Sequence, residues 1–540
     1  MSEPDLDRYE SRRSTVHAPN GVVATSQPLA ASAGVSILRE GGNAFDAAVA
    51  TAAALNVVEP TSTGLGGDVF ALYRTADGEV GGMQSIGTAP AGATREAVSE
   101  AVSEEQGVDP DAATMPDVGA HTVTVPGTAR GWEAILERFG RFGLAETLAP
   151  AIDYARDGYP VTEVVSEQWQ HGEDLFQAPN AREAFLFDGE APATGQRVTL
   201  PKLGRSLERV AEEGADVVYE GEIGEAIATE IQERGGFMTV EDLAAHEAAF
   251  VDPISTTYGG VEVYELPPTN QGYLALEALA IAAELDVASL EFGSPAYVHR
   301  LIESMKRAFH DGHHYVADPD YVSVPDLLDA DYVAERAAAI GPAASEDVDV
   351  GVPGDAGEDA DTVLMTVADA AGNLVSFINS RFAGFGSGVV AGDTGIALQN
   401  RGSAFSLDPA DPNVIEPGKR PFHTLIPAIA RFDEDDWAAF GVMGGYMQPQ
   451  GHLQVLTNLI DGEMPLQAAL DRPRWRYRAD GSVAVEERMD DAMPAKLVRR
   501  GHDVGVLTPL QFGGAQIVRN RDGVLSAATE PRKDGAALGY

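Results

Sequence analysis

The chain contains no cysteine, and only five of its 540 residues are lysine: Lys202, Lys306, Lys419, Lys496 and Lys533. The first absence excludes disulfides, thiolate catalysis, cysteine-ligated zinc and iron–sulfur clusters. The second leaves positive charge almost wholly to arginine. Lysine and arginine together number 37 against 84 acidic residues, a formal net charge of −47. Such a surface repels nucleic-acid phosphates and anionic membranes, so neither is an expected partner. Concentrated salt screens this self-repulsion, and the composition reads as halophilic. No run approaches the ~20 apolar residues of a membrane span. Met1 to Asn20 is charged and has no apolar core of the signal-peptide kind. The expected location is cytoplasmic. Hydrophobic residues make up 44% and charged residues 22%, values that exclude wholesale disorder and allow a sizeable core.

Val35, Ile37 and Leu38 form the inner stripe of a predicted helix that Gly41 and Gly42 stop. Asn43 caps a second helix with Asp46 in its first turn. That helix runs to Val58 and is mostly alanine, which implies close approach of its neighbours. A loop with Gly64, Gly66 and Gly67 leads into an apolar run, Val69 to Tyr73, that reads as a buried strand. From Gly131 to about Arg307 the pattern is mostly helical, with amphipathic segments such as GWEAILERFG and LAPAIDYARDG each closed by glycine. Residues 342–361 are acidic, carry glycine and offer almost nothing to bury, so they are predicted to be a solvated linker. Beyond it, two β-rich runs surround a turn from Asp369 to Asn373, and LIPAIARF, AAFGVMGG, AQIVRN and VLSAATE add strands. The expected class is α+β, a layered αββα protein whose second part starts at Thr362.

Thr362 stands where the linker ends and a strand begins. Cleavage of the Asp361–Thr362 bond would give it a free α-amine beside its own hydroxyl, base and nucleophile in one residue. The amine's ordinary pKa of about 7.7–8.0 suits it to accept the hydroxyl proton. Read on β propensity alone, the same threonine simply opens a strand. Gly444 and Gly445 follow a strand where two backbone N–H groups could form an oxyanion hole, or merely a turn. GKRPFHTLIP gathers Lys419, Arg420, His423 and Thr424 into one loop that could meet an anion or pair with the acidic surface. His310, His313 and His314 have metal-ligand spacing on a helix face, but Gly312 is expected to interrupt that helix, and no HExxH pattern occurs. Neither GLGGDVF nor GFGSG fits a phosphate-binding fingerprint.

Several collinear segments resemble the γ-glutamyltranspeptidase family of N-terminal-nucleophile hydrolases, over most of the length. They include GVVATSQPLAASAGVSILREGGNAFDAAVATAAALNVVEP, TVPGTARGWE, GGFMTVEDLAAHEA, ELPPTNQG, DTVLMTVADAAGNLVS, FGSGVVAGDTGIALQNRGSAFS, GKRPFHTLIP and GVMGGYMQPQGH. The resemblance implies a four-layer αββα sandwich and a precursor that cleaves itself at Asp361–Thr362. The products would be a large-subunit region, 1–361, and a small-subunit region, 362–540, that stay intertwined. It further implies Thr362 as the nucleophile, Ser380 as a supporting hydroxyl where the family usually has threonine, and Gly444 and Gly445 as oxyanion donors. No metal or organic cofactor enters such acyl transfer. The implied partners are a small-molecule amide and the two fragments of one precursor, with a dimer of such heterodimers left open.

The departures concern substrate. The arginine that family members place before Ala-Pro to hold a γ-glutamyl carboxylate is Ile86 here. The asparagine near the nucleophile aligns with Phe382, the aspartate that meets the α-amine with Ala404, and the serine pair with His423-Thr424. Each lost charge-assisted hydrogen bond costs roughly 1.5–3 kcal/mol, so a γ-glutamyl donor is expected to bind poorly. Arg381, Arg401 and His423 are the new cationic candidates, with Thr424 beside them. The expected donor is a dicarboxylic monoamide, glutaryl- or oxamate-like. An unprocessed inactive member acting as a binding protein, a true glutathione hydrolase and a histidine-based metallohydrolase are the competing readings.

Overall fold

The computed structural model describes residues 13–345, 348 and 362–540. Asp361 and most of the acidic linker lie outside the described residues.

Period-two alternation decides the layering. Along the strand Val363–Asp369, Val363, Met365 and Val367 face one hydrophobic core, while Leu364 and Ala368 face another. That second core lies between two stacked sheets and includes Phe70, Leu72 and Ile378 from one and Ile429, Ala439 and Val518 from the other. The sheet that carries Thr362 has seven antiparallel strands in the order Ala536–Gly539, Gly21–Thr25, Val363–Asp369, Leu374–Ser380, Asp68–Arg74, Val80–Ser85 and Ala249–Val251. The opposing sheet, also seven-stranded, runs Val16–Ala18, Val524–Thr529, Gly514–Arg521, Asp436–Met443, Ala428–Asp433, Val261–Glu265 and Ile254–Tyr258. Strands from before and after the linker are interleaved in both.

Helices cover the two outer faces. On the Thr362 sheet lies the helix Ala44–Val58, whose every residue is buried, which is why small side chains fill it. Asn43 caps it as the sequence predicts, and Asp46 caps back, its side chain accepting the Asn43 N–H. The preceding helix, Pro28–Glu40, ends at Gly41 with φ 108°. Helices Gly272–Glu284, Pro295–Tyr315 and Met447–Ile460 close the other side against Val263, Ala430, Phe440 and Ile517. The result is the expected four-layer αββα sandwich. Among the described residues no helix is long and apolar enough to cross a membrane.

One expectation needs correction and two gain detail. Gly312 does not interrupt its helix, which continues to Tyr315. A Cβ at 312 would lie 2.4 Å from the Leu274 side chain, so glycine serves close contact with the neighbouring helix. The mostly helical stretch from 131 to 307 also holds three strands between Ala249 and Glu265; Ala249–Val251 and Ile254–Tyr258 are sheet edges, and Val261–Glu265 alternates buried and half-buried residues beside the second of them. The β-rich second part also contains the helix Met447–Ile460, whose Pro449 sits in the first turn, where a missing N–H costs nothing.

Candidate active site

Val363 pairs with Asn379, so Thr362 and Ser380, one residue further along, come to the same end of two adjacent strands. Thr362 Oγ1 donates to Ser380 Oγ at 3.1 Å, with both residues buried. Ser380 Oγ also accepts the Phe382 N–H at 2.9 Å. That bond needs a sharp turn, and Phe382 adopts φ 81°, a left-handed conformation that a bulky residue keeps only where its surroundings impose it.

The next strand brings Asp68 opposite Ser380. Sequence reasoning treated GLGGDVF only as a failed phosphate motif and missed this residue. The available signal was an acid at the head of an apolar strand, which must be buried and therefore partnered. Asp68 Oδ1 accepts from Gly87 N at 3.2 Å, Gly127 N at 3.1 Å and Gln399 Nε2 at 3.1 Å. Oδ2 lies 3.1 Å from His423 Nε2. Because His423 Nδ1 accepts the Leu425 N–H at 3.2 Å, the ring proton sits on Nε2 and points at the carboxylate. Burial pushes the Asp68 carboxyl up to about 7, opposed by Arg401 and by its N–H donors. Burial and the same arginine hold His423 well below the ordinary histidine range, so the ring is neutral.

Arg401 is fully buried. Its Nη1 donates to Thr424 Oγ1 at 2.8 Å, and its guanidinium carbon lies 4.3 Å from the centre of the Phe382 ring. Its Nε and Nη2 have no hydrogen-bond partner among the described residues. Burial lowers its pKa to about 10, so it stays cationic at neutral pH. Arg381 is equally buried, but its guanidinium is bonded to the Pro60 carbonyl and lies 5.5 Å from the Phe385 ring centre. The other cations of the 419–424 loop are committed: Lys419 to Pro412 O and Glu416, Arg420 to Asp318 and Asp320.

Gly444 and Gly445 follow the central strand Asp436–Met443, with φ 112° and 53°. A Cβ at Gly441 would lie 2.9 Å from Leu364, which sets the end of this strand beside the start of the Thr362 strand. The helix Met447–Ile460 begins just after the glycine turn and aims its positive end there. Gln271, from the PPTNQG segment, ties the turn to the neighbouring loop: its Nε2 donates to Gly445 O and to Thr424 O, each at 2.8 Å. A narrow recess is lined by Pro90, His121, Thr124, Phe237, Gly402, Phe405 and Ile415, and Thr362 does not line it.

The rings of His310 and His314 lie 4.3 Å apart, centre to centre, but among the described residues the three histidines do not gather as metal ligands. His313 is packed among Phe309, Phe422 and Tyr446, and burial lowers its pKa to about 3. His314 Nδ1 lies 2.7 Å from the His310 carbonyl, an ordinary bond within one helix.

A family model described as Gamma-glutamyltranspeptidase matches residues 30–540. The Glutathione hydrolase-like YwrD proenzyme of Bacillus subtilis is 38% identical over 96% of this chain and 98% of its own length. The Oxamate amidohydrolase proenzyme of Klebsiella pneumoniae is also 38% identical, over 96% and 98%. The crystal structure of cephalosporin acylase from Bacillus halodurans superposes with a TM-score of 0.90 at 41% identity, covering 100% of this chain and 99% of that one. Fold, family match and full-length similarity agree: the chain is an enzyme of the γ-glutamyltranspeptidase family of hydrolases and acylases.

Proposed function

We propose that the chain is a self-processing amidohydrolase or acyltransferase that cuts itself at Asp361–Thr362 and uses Thr362 as its nucleophile. The observation that carries this reading is the Thr362–Ser380 hydroxyl pair, 3.1 Å apart at the head of a central strand directly after the linker. Once exposed, the α-amine of Thr362 takes the hydroxyl proton as Oγ1 attacks the amide carbonyl. Ser380 holds Oγ1 in place. The Gly444–Gly445 turn at a helix N-terminus stabilises the oxyanion, and the amine returns the proton to the departing nitrogen. Water or an amine then releases the acyl group. The relatives named as proenzymes support processing, and those named oxamate amidohydrolase and cephalosporin acylase support amide donors.

The donor we favour is a dicarboxylic monoamide, glutaryl- or oxamate-like. Of the three cationic candidates, Arg401 fits its free carboxylate best, because its Nε and Nη2 have no partner among the described residues while His423 is spent on Asp68 and Arg381 is bonded to Pro60. Two measurements test the reading. N-terminal sequencing of the smaller fragment should begin at Thr362, with Thr362→Ala abolishing maturation and turnover and Thr362→Ser keeping some of each. Glutaryl anilide should be hydrolysed faster than γ-glutamyl anilide; the reverse preference ends the donor assignment and leaves the chemistry standing.

A further inference from the structure

Far in sequence from the nucleophile, one helix and one loop bring three metal-ligating side chains together. His299 and Glu303 lie one turn apart on the helix Pro295–Tyr315, and His502 reaches them from the other side of the linker. One ligating atom from each lies within 4.8 Å of the others, and all three residues are buried. The tautomers follow from the hydrogen bonds. His299 Nε2 lies 3.0 Å from the Gly341 carbonyl, so it carries the proton and leaves Nδ1 as a lone pair. His502 Nε2, 2.8 Å from that Nδ1, must then donate to it. His502 Nδ1 is buried without a hydrogen-bond partner among the described residues, while Glu303 Oε1 faces Lys306 Nζ at 3.0 Å and its Oε2 accepts the Ser345 N–H at 3.2 Å.

We infer that His299, Glu303 and His502 form a site for a divalent ion that prefers nitrogen ligands, zinc or cobalt(II), which links the part of the chain before the linker to the part after it. Two imidazoles and a carboxylate are a familiar zinc donor set, and a ligating histidine commonly donates its other N–H to a backbone carbonyl, as His299 does. Moving the proton of His502 from Nε2 to the unpartnered Nδ1 turns both facing nitrogens into lone pairs, with no net proton release. Zinc–nitrogen bonds of about 2.0–2.1 Å at a tetrahedral angle need those nitrogens about 3.3 Å apart, an opening of roughly half an ångström. The groups now filling the space are that shared proton and Lys306, whose Nζ lies 3.0 Å from Glu303 Oε1. The ammonium has a second seat, because it already lies 5.1 Å from the centre of the Tyr477 ring. Lys306 is therefore the ion's competitor for Glu303. This inference does not depend on the cleavage reading, since the link forms in an unbroken chain as well.

The test is a cobalt(II) titration of the full-length, chelator-treated protein in concentrated KCl with excess Mg²⁺, which occupies the acidic surface but is a poor match for imidazole. The expected result is one equivalent bound with strong tetrahedral ligand-field bands. His502→Gln, which keeps a polar side chain in the space, should lose them. Lys306→Met should tighten binding about tenfold by removing the competing cation. Zinc should raise the unfolding midpoint of the parent protein and leave that of His502→Gln unchanged. Equal cobalt binding by the parent and a folded His502→Gln variant overturns the assignment, as does the absence of binding in Lys306→Met.

Discussion

Arg401 is the residue whose environment is hardest to explain without a ligand. A guanidinium buried with two nitrogens unpartnered among the described residues carries a desolvation cost that its contacts with Thr424 and Phe382 offset only in part. A carboxylate delivered by substrate completes it. Arg401→Gln is expected to lower kcat/KM for a glutaryl donor roughly 10- to 100-fold, from the loss of about 1.5–3 kcal/mol. The loss on a donor without a free carboxylate should be small, and comparing the two donors in the same variant measures the difference. At this scale the sequence alone put Thr362 and the glycine pair at strand ends, and the family resemblance added Ser380, whose hydroxyl the structure sets 3.1 Å from that of Thr362. Asp68, Gln271 and Gln399 were not legible, because their parts depend on partners far away in sequence, 355 residues in the case of Asp68 and His423.

The strands and helices around the site hold it by close approach. A Cβ at Gly67 would come within 2.2 Å of the Ser380 carbonyl oxygen and 2.8 Å of its carbon, both backbone atoms that cannot swing away. Gly67→Ala should therefore displace the strand end that carries Ser380. It should cost about 1–3 kcal/mol in denaturant titrations and slow both maturation and turnover. Gly505→Ala, where an added Cβ meets open space, should leave all three unchanged. The helix Pro295–Tyr315 offers a pH test. His313 is neutral in the folded chain, with its pKa near 3, and titrates near 6.5 when unfolded. Below pH 6.5 the unfolded state binds the extra proton, so this group lowers stability as pH falls. His313→Phe should gain on the parent by up to about 1.4 kcal/mol per pH unit between pH 6.5 and 4, read from paired unfolding curves. Element type was legible wherever a period ran long, as in Ala44–Val58. It failed at Gly312, whose value lies in the neighbouring Leu274 side chain, and at the strands between 249 and 265, which are only 3 to 5 residues long and too short for a period to stand out.

At the level of the whole molecule, the surplus of 47 negative charges should make the protein most stable in concentrated salt. Its unfolding midpoint is expected to climb with KCl well past the concentration at which a near-neutral protein levels off. The sheets carry a different consequence. Each is woven from strands on both sides of the linker, so neither side has a finished set of ladder hydrogen bonds alone. If maturation cuts at 361, the nicked protein should still melt in a single transition. Its return from denaturant, however, becomes an encounter between two molecules: the refolding rate of the processed enzyme should rise with protein concentration, while that of Thr362→Ala should not. The cut would then act as a ratchet, with a fold reached by one chain alone and, once lost, recoverable only by a pair.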